Sequence, residues 1–282
     1  MRCRLLPYPY DPALHLPSAM TWHFDALAHP TVSGDWLRPG PPAGFAELDA
    51  ELAQAGVDRA CAVGLVGVGN YDHAAFVERC LRYPRLVPIA AYNPLTDVSP
   101  QSLRELRSMG YVGLKIHPRF TGLTHRLGTL GPVLQWAGEA GLVVFLCTYV
   151  HSRWGQYPTT DPFLDFVHSL REAPETRVVL VHGGDVQLLR YAELVRFNDN
   201  LLLDLSMTMM KYPGSSIEAD LGFLFRSFDR RICVGSDWPD YPLAQVRSRF
   251  EALTKGCPSD KVANAAGLNL ARFLGLEART EQ

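Results

Sequence analysis

Several apolar runs of this chain end in a residue that can ionise or bind a metal. These residues are His15, Lys115, His117, Cys147, His182, Asp204 and Asp237. Burying such a group without a partner costs several kcal/mol, and a metal ion or a reacting substrate supplies a partner. Imidazoles and carboxylates are also the usual groups for general acid–base catalysis. We therefore expect these residues to share one reactive pocket.

Seven short apolar runs, each followed by a helix-like segment, would position these residues. The runs are Asp58–Leu65, Leu86–Tyr92, Tyr111–His117, Leu142–Tyr149, Arg177–His182, Leu201–Ser206 and Arg231–Gly235. They are nearly continuous in apolar residues, which is typical of parallel strands covered on both faces. An eighth strand is expected at Tyr8–Leu16, although its prolines make it a weak strand former.

Eight strand–helix units in 282 residues match the size of one (β/α)8 TIM barrel with long loops after its strands. A doubly wound sheet would usually open on a glycine-rich phosphate-binding turn, and Gly64–Gly69 lacks the required spacing. No linker or repeat interrupts the chain, so residues 1–282 are predicted to form a single domain. Ionisable residues at the ends of the strands would then point into one active-site pocket.

Three long segments are predicted to follow the ends of strands. They are Pro17–Gly44, Pro118–Gly128 and Val150–Thr160. They are rich in aromatic and basic residues, and a segment that only connects two elements would be shorter. We expect them to wall a substrate site, with Arg119, His151 and Trp154 among the residues that bind substrate.

The composition narrows the range of partners. The net charge is −2 and no Lys/Arg block stands out, so neither nucleic acid nor an anionic membrane is an expected partner. The six cysteines form no CxxC pair, which is typical of reduced thiols in a cytoplasmic protein. We predict no targeting or membrane-spanning segment.

Four segments of the chain resemble motifs of the amidohydrolase superfamily. They are Gly113–Pro118 (GLKIHP), Val181–Gly184 (VHGG), Gly235–Pro239 (GSDWP) and Asn264–Leu276 (NAAGLNLARFLGL). The resemblance spans the chain in strand order. It is strongest to the amidohydrolase-related branch that includes aminocarboxymuconate-semialdehyde decarboxylase and the dicarbonyl and lactone hydrolases.

The resemblance implies one divalent metal, zinc above all, held by a His-x-His pair on the first strand and by residues that end later strands. His182 and Asp237 match the family's sixth-strand His and eighth-strand Asp. Aligned through Asp11, the first strand has Ala13 in place of the first His and His15 in place of the second. Cys147 stands where the fifth strand usually carries His. The implied metal ligands are therefore His15, Cys147 and Asp237.

The same resemblance implies catalytic roles for His182 and Asp237. Asp237 would take the proton of an attacking water, and His182 would polarise a carbonyl or protonate the leaving group. Lys115 and His117 alternate with apolar neighbours, so both face the same side of their strand, and they would bind a substrate carboxylate. The alternative readings are structural: a turn aspartate, a core histidine, a core cysteine and a buried ion pair.

The sequence thus predicts a hydrolase that attacks a small carboxylated or cyclic substrate (an amide, lactone or dicarbonyl compound) with activated water. One alternative is a decarboxylase of the same branch. A metal-free variant would use Asp237 as base with His182 and Lys115 as oxyanion donors. Another alternative is a catalytically silent barrel that only binds a ligand, which the loss of two metal-binding histidines would favour. Dimers are common among relatives, so a homodimer is compatible with this reading.

Overall fold

Eight parallel strands form one sheet in which each strand pairs with the next along the chain. The computed structural model describes residues 23–37, 40–97, 99–151 and 157–276. The strands are β1 Phe24–Ala28, β2 Arg59–Val63, β3 Leu86–Tyr92, β4 Gly113–Ile116, β5 Val143–Cys147, β6 Val178–Val181, β7 Leu201–Asp204 and β8 Ile232–Cys233. The predicted fold class, a (β/α)8 barrel, is confirmed.

Helices lie between the strands and cover the outside of the sheet. They are α1 Phe45–Ala55, α2 His73–Cys80, α3 Pro100–Ser108, α4 Pro118–Thr121, α5 Gly131–Glu139, α6 Pro162–Glu172, α7 Leu188–Arg196, α8 Thr208–Lys211, α9 Ser216–Ser227, α10 Leu243–Leu253, α11 Ser259–Ala263 and α12 Asn269–Leu274. No helix in the described ranges is long and apolar enough to cross a bilayer.

Local sequence signals set several of these helix ends. The Ser99 side chain caps α3 by accepting a hydrogen bond from the Ser102 amide at 3.1 Å. Asp72 caps α2 in the same way through the Ala75 amide. After α5, Gly141 adopts a left-handed conformation with φ 72°, which is typical of a glycine that ends a helix.

The strand residues alternate between two apolar layers. On β5, Val143 and Phe145 face the barrel interior, whereas Val144 and Leu146 pack against the helices. Burial on both faces explains why these runs read as continuously apolar. The same alternation directs Cys147, the last residue of β5, towards the interior at the end of the barrel that carries active sites.

The position predicted for the first strand is wrong. The first strand is Phe24–Ala28, inside a segment predicted to be a loop, and Tyr8–Leu16 lies outside the described residues. Phe24–Ala28 contains no proline, so each of its amides can join the hydrogen-bond ladder, whereas Pro9 and Pro12 interrupt the other segment.

Backbone hydrogen bonds between β1 and the chain after β8 close the barrel. The Ala26 amide donates to the Val234 carbonyl at 3.0 Å, and the Asp237 amide donates to the Leu27 carbonyl at 2.8 Å. A further bridge pairs Ala28 with Trp238.

A buried side-chain contact reinforces this closure. The Asp25 carboxylate is fully buried and accepts hydrogen bonds from the Ser236 amide at 2.8 Å, the Ser236 hydroxyl at 2.5 Å and the Leu27 amide at 3.0 Å. Burial raises the pKa of Asp25 to about 7, because the hydrogen bonds only partly offset the loss of solvation. The residue therefore joins the first and last strands just below Asp237.

We predict that Asp25→Ala lowers the free energy of unfolding by about 3 kcal/mol, because it leaves buried donors without an acceptor. Urea denaturation followed by circular dichroism measures the change. Glu175→Ala, at an exposed site, serves as the control and should change stability by less than about 0.5 kcal/mol. Equal stabilities for the two variants would show that Asp25 does not hold the closure together.

Candidate active site

Lys115, His117, Cys147, His182 and Asp237 all lie at the carboxyl ends of their strands, on one end of the barrel. Each has less than a tenth of its surface exposed. The structure thus brings together the residues that the sequence singled out on β4, β5, β6 and after β8.

His182 follows β6 with a left-handed backbone, φ 68°, which is uncommon for a residue other than glycine. Its backbone is held by two hydrogen bonds: the amide donates to Asp204 at 3.2 Å, and the carbonyl accepts from the Thr208 hydroxyl at 2.7 Å. The ring Nδ1 lies 3.1 Å from the Ser206 hydroxyl. This engagement of Nδ1 leaves Nε2 to face the pocket.

The hydrogen bonds of Asp204 lie within the turn that follows β6 and the segment that follows β7. It accepts hydrogen bonds from the Ser206 amide at 3.1 Å and from the Ser206 hydroxyl, besides the His182 amide. The carboxylate therefore orders the turn that carries His182, and it affects Lys115 only through its charge.

Asp237 also has a left-handed backbone, with φ 59°. Its Oδ1 lies 3.3 Å from His29 Nε2, and His29 Nδ1 lies 2.8 Å from the Val63 carbonyl, to which it can donate. Two contacts thus orient Asp237: the hydrogen bond from its amide to β1, and the contact of its carboxylate with the His29 ring.

His29 is the functional residue that sequence reasoning missed. An aspartate followed four residues later by a histidine occurs twice near the start of the chain, at Asp11/His15 and at Asp25/His29. We aligned the first occurrence with the family pattern, and the structure places the second occurrence on β1. The absence of proline from Phe24–His29 was the signal that distinguishes them. His15 lies outside the described residues.

The charges around Asp237 and His182 stabilise each other. Burial opposes ionisation of both groups, but the neighbouring imidazoles and Lys115 outweigh it and hold the pKa of Asp237 far below its usual range. Burial likewise acts to lower the pKa of His182, yet Asp237 and Cys147 raise it above the ordinary value. The two shifts favour the ionised form of Asp237 and the protonated form of His182, a combination that suits acid–base chemistry.

The Cys147 thiol lies beside the basic residues of β4 on the other side of the pocket. Its Sγ lies 3.8 Å from His117 Nε2. Lys115 Nζ and His117 Nδ1 are buried and have no hydrogen-bond partner among the described residues. Burial lowers the pKa of Lys115 and of His117, although the negative groups nearby oppose that effect. Unpaired buried donors of this kind mark a place for an anion.

Arg119 and His151 lie in an outer layer around Tyr149. The Arg119 guanidinium stands 4.6 Å from the centre of the Tyr149 ring, and that ring contacts the His182 ring edge-on at 6.3 Å between centroids. His151 Nε2 lies 3.6 Å from Asp185, and its Nδ1 lies 2.8 Å from the Tyr157 hydroxyl. Both ring nitrogens of His151 therefore contact Asp185 and Tyr157. Trp154 lies outside the described residues.

The described residues do not fit a metal ion. Within those ranges, no group of three or more His, Cys, Asp and Glu side chains is arranged to hold one. On β1, His29 is preceded two positions earlier by Leu27, so the strand offers one imidazole where the family pattern has a pair. The proposed zinc set of His15, Cys147 and Asp237 stays a prediction, because His15 is not among the described residues.

A family model described as amidohydrolase matches residues 10–276, and the chain belongs to that family. The fold resembles that of a probable 2-pyrone-4,6-dicarboxylic acid hydrolase from Acinetobacter baumannii, crystallised with citric acid, at 16% identity and a TM-score of 0.67 over 90% of this chain and 99% of that one. The predicted superfamily branch is thereby confirmed.

Two further solved structures show the chemical range of this fold. An amidohydrolase from Burkholderia multivorans with bound zinc has 14% identity and a TM-score of 0.67 over 90% of this chain and 99% of that one. A 2,6-dihydroxybenzoate decarboxylase from Rhizobium has 16% identity and a TM-score of 0.66 over 91% and 99%. No curated protein sequence matches the chain.

We predict that Asp237→Asn lowers the pKa of His182, because burial is then opposed by Cys147 alone and no longer by the carboxylate. Histidine-selective NMR titration of the folded protein measures this pKa. Asp260→Asn, at an exposed helix position, is the control and should leave the titration unchanged. A His182 titration that is identical in the wild type and Asp237→Asn would contradict the proposed coupling.

Proposed function

We propose that this protein hydrolyses a small carboxylated cyclic ester or a related carbonyl compound. The observation that carries the proposal is the buried Asp237 carboxylate, which lies 3.3 Å from His29 Nε2 at the same end of the barrel as His182. The family assignment supports an enzyme of the amidohydrolase type.

Asp237 is placed to take a proton from water. Its pKa lies far below neutrality, so it is ionised at working pH, and His29 holds Oδ1 in one orientation. The second carboxylate oxygen can then accept the water proton, which leaves a hydroxide-like nucleophile beside the substrate carbonyl.

His182 supplies the opposite charge. Its Nδ1 is held by Ser206, so a proton on Nε2 can donate a hydrogen bond to the oxyanion that develops on the carbonyl. That proton can afterwards pass to the leaving oxygen. The raised pKa of His182 keeps the proton available near neutral pH.

Lys115 and His117 provide the binding site for a substrate carboxylate. Lys115 Nζ has no hydrogen-bond partner among the described residues, and the residue is 1% exposed. A carboxylate would satisfy the ammonium and restore the solvation that it lost on burial. Arg119, whose Nε is also buried without a partner in the described part of the chain, extends this positive region outward.

Decarboxylation is the second candidate reaction, since the same fold carries decarboxylases. Here the buried cations would hold a substrate whose own carboxylate is lost as CO2, and an acid would protonate the carbon that remains. His182 could act as this acid. The two reactions differ in their products, so a single assay separates them.

The test is a screen of the purified protein against 2-pyrone-4,6-dicarboxylate, simple carboxylated lactones and dihydroxybenzoates. We expect ring opening, with uptake of one oxygen atom from H₂¹⁸O and no CO2. Release of CO2 without ¹⁸O uptake would replace the hydrolase with the decarboxylase.

The screen is repeated after chelation, with elemental analysis, and unchanged turnover is expected; loss of turnover that zinc restores would support a metal site that includes His15.

We predict that Asp237→Asn and His182→Asn each lower kcat by at least about 100-fold on the substrate found, because each removes a proton-transfer group. His168→Asn, at a histidine whose side chain is 67% exposed, is the matched control and should keep wild-type kcat. Wild-type turnover by the Asp237 or His182 variant would eliminate the proposed acid–base pair.

Lys115→Met is expected to act on binding instead. We predict a rise in KM of about 10-fold or more for a carboxylated substrate, because one charge-assisted contact is lost. The methyl ester of the same substrate lacks the negative charge and should be affected much less. An equal effect of Lys115→Met on the acid and on its methyl ester would show that Lys115 does not bind the carboxylate.

A further inference from the structure

Trp36 lies in the segment that follows β1, and the acid–base mechanism does not use it. Its indole ring stacks on the His29 imidazole, with 5.9 Å between the ring centroids and 15° between the ring planes. The indole nitrogen donates a hydrogen bond to Asp240 Oδ1 at 2.9 Å. Trp36 therefore links the segment after β1, which carries His29, to the segment after β8, which carries Asp237.

These contacts form a closed cycle through four residues. Asp237 Oδ1 lies 3.3 Å from His29 Nε2, and the His29 ring stacks on Trp36. Trp36 bonds to Asp240, whose amide donates to the Asp237 carbonyl at 3.0 Å. In a closed cycle, movement of one member disturbs the contacts of the others. The two segments therefore hold each other in place around the proposed base.

The segment that carries Trp36 is itself anchored. The Thr31 hydroxyl donates to the Asp35 carbonyl at 3.0 Å, and the Ser33 amide donates to the carbonyl of Gly69, after β2, at 3.0 Å. Gly69 has no side chain, and a Cβ there would lie 2.2 Å from the Thr31 Cβ. This close approach of two segments fixes the backbone from which the indole projects.

The stacked indole limits both solvent access and rotation at the proposed base. The His29 and Asp237 side chains are 6% and 12% exposed, and water that reached their contact would weaken it by screening. The Val63 carbonyl and Asp237 hold the two ring nitrogens in the plane of the imidazole, whereas Trp36 covers one face. Without the indole, the imidazole would be free to rotate towards solvent and to leave the carboxylate without its partner.

We propose that Trp36 is a positioning residue for the acid–base pair, which it holds by covering His29 and by bonding to Asp240. This inference rests on the proposed function, in which Asp237 takes the proton of water. Functional groups need neighbours that lock their orientation through packing and hydrogen bonds, and Trp36 provides both. Because Trp36 acts through His29, its removal lowers kcat, whereas the basic residues of β4 still bind the substrate carboxylate.

Hydrogen exchange of the His29 ring tests the proposal without any substrate. In protein labelled with ¹⁵N-histidine, NMR measures how fast the Nδ1 proton, which can be donated to Val63, exchanges with water. Loss of the signal in His29→Ala assigns it. We expect Trp36→Ala to raise the exchange rate by about 10-fold or more, because the ring then opens to solvent more often.

A second tryptophan supplies the matched control. Trp136 on α5 is, like Trp36, partly buried and packed against the apolar core, and Trp136→Ala should leave the exchange rate of the His29 proton unchanged. Equal exchange rates in the wild type and in Trp36→Ala would overturn the proposal.

Two variants of Asp240 test the hydrogen bond that orients the indole. Asp240→Asn keeps a side-chain oxygen that can accept the indole N–H, whereas Asp240→Ala removes the acceptor. We expect Asp240→Ala to change the His29 exchange rate and kcat in the same direction as Trp36→Ala, and Asp240→Asn to have a much smaller effect. Equal effects of the two variants would contradict the closed cycle.

A double-mutant cycle tests whether Trp36 acts through His29. The substrate is 2-pyrone-4,6-dicarboxylate, or the compound of the screen that is turned over fastest. We expect Trp36→Ala to lower kcat by about 10-fold and to leave KM within about 2-fold of the wild type. In the His29→Ala background, the same substitution should have no further effect on kcat. Additive effects of the two substitutions on kcat would overturn the positioning role.

The variant Asp237→Asn separates this inference from the proposed function. An inactive Asp237→Asn together with wild-type kcat in Trp36→Ala would keep the hydrolase and overturn the role of Trp36. Wild-type turnover in Asp237→Asn would instead refute the proposed base, and the exchange experiment would still decide whether Trp36 holds the His29 ring.

Discussion

The arrangement of the pocket depends on one buried carboxylate. Asp237 loses its solvation inside the barrel, and the His29 and His182 imidazoles and the Lys115 ammonium replace it. A lone buried carboxylate would take up a proton, so the surrounding cations are what keep it available as a base. The same carboxylate keeps His182 charged. Acid and base therefore exist as a pair, and neither would hold its protonation state without the other.

The fold holds this pair through backbone contacts that are not themselves catalytic. His182 and Asp237 both have left-handed backbones, a conformation that costs free energy in residues with a side chain. Asp204 and Thr208 hold the first of these turns, and the Leu27 carbonyl holds the second. Below them, Asp25 joins β1 to the segment after β8. The contacts that close the barrel therefore also orient the groups that we propose to be catalytic.

Features with a local cause were predictable from the sequence. The Ser99 cap and the Gly141 stop depend on a few neighbouring residues, and the apolar runs of β2 to β8 depend on burial on both faces. The first strand was misplaced because two similar Asp/His patterns lie close together and only the prolines distinguish them. His29 was missed for the same reason.

The surroundings of the Cys147 thiol could not be predicted, because they depend on groups from other strands. In the sequence it is one of several cysteines in apolar runs, and Cys61 and Cys233 look alike. Only the folded barrel places His117 from β4 within 3.8 Å of its sulfur. A contact between residues of different strands produces no periodic pattern in the sequence of either strand.

The substitutions that argued for a decayed metal site have a different consequence in the folded protein. With Leu27 and Cys147 in place of two imidazoles, the pocket keeps basic side chains whose donors Lys115 Nζ, His117 Nδ1 and Arg119 Nε are unpaired within the described ranges. Such a pocket is incomplete until an anion enters, and a substrate carboxylate would be that anion.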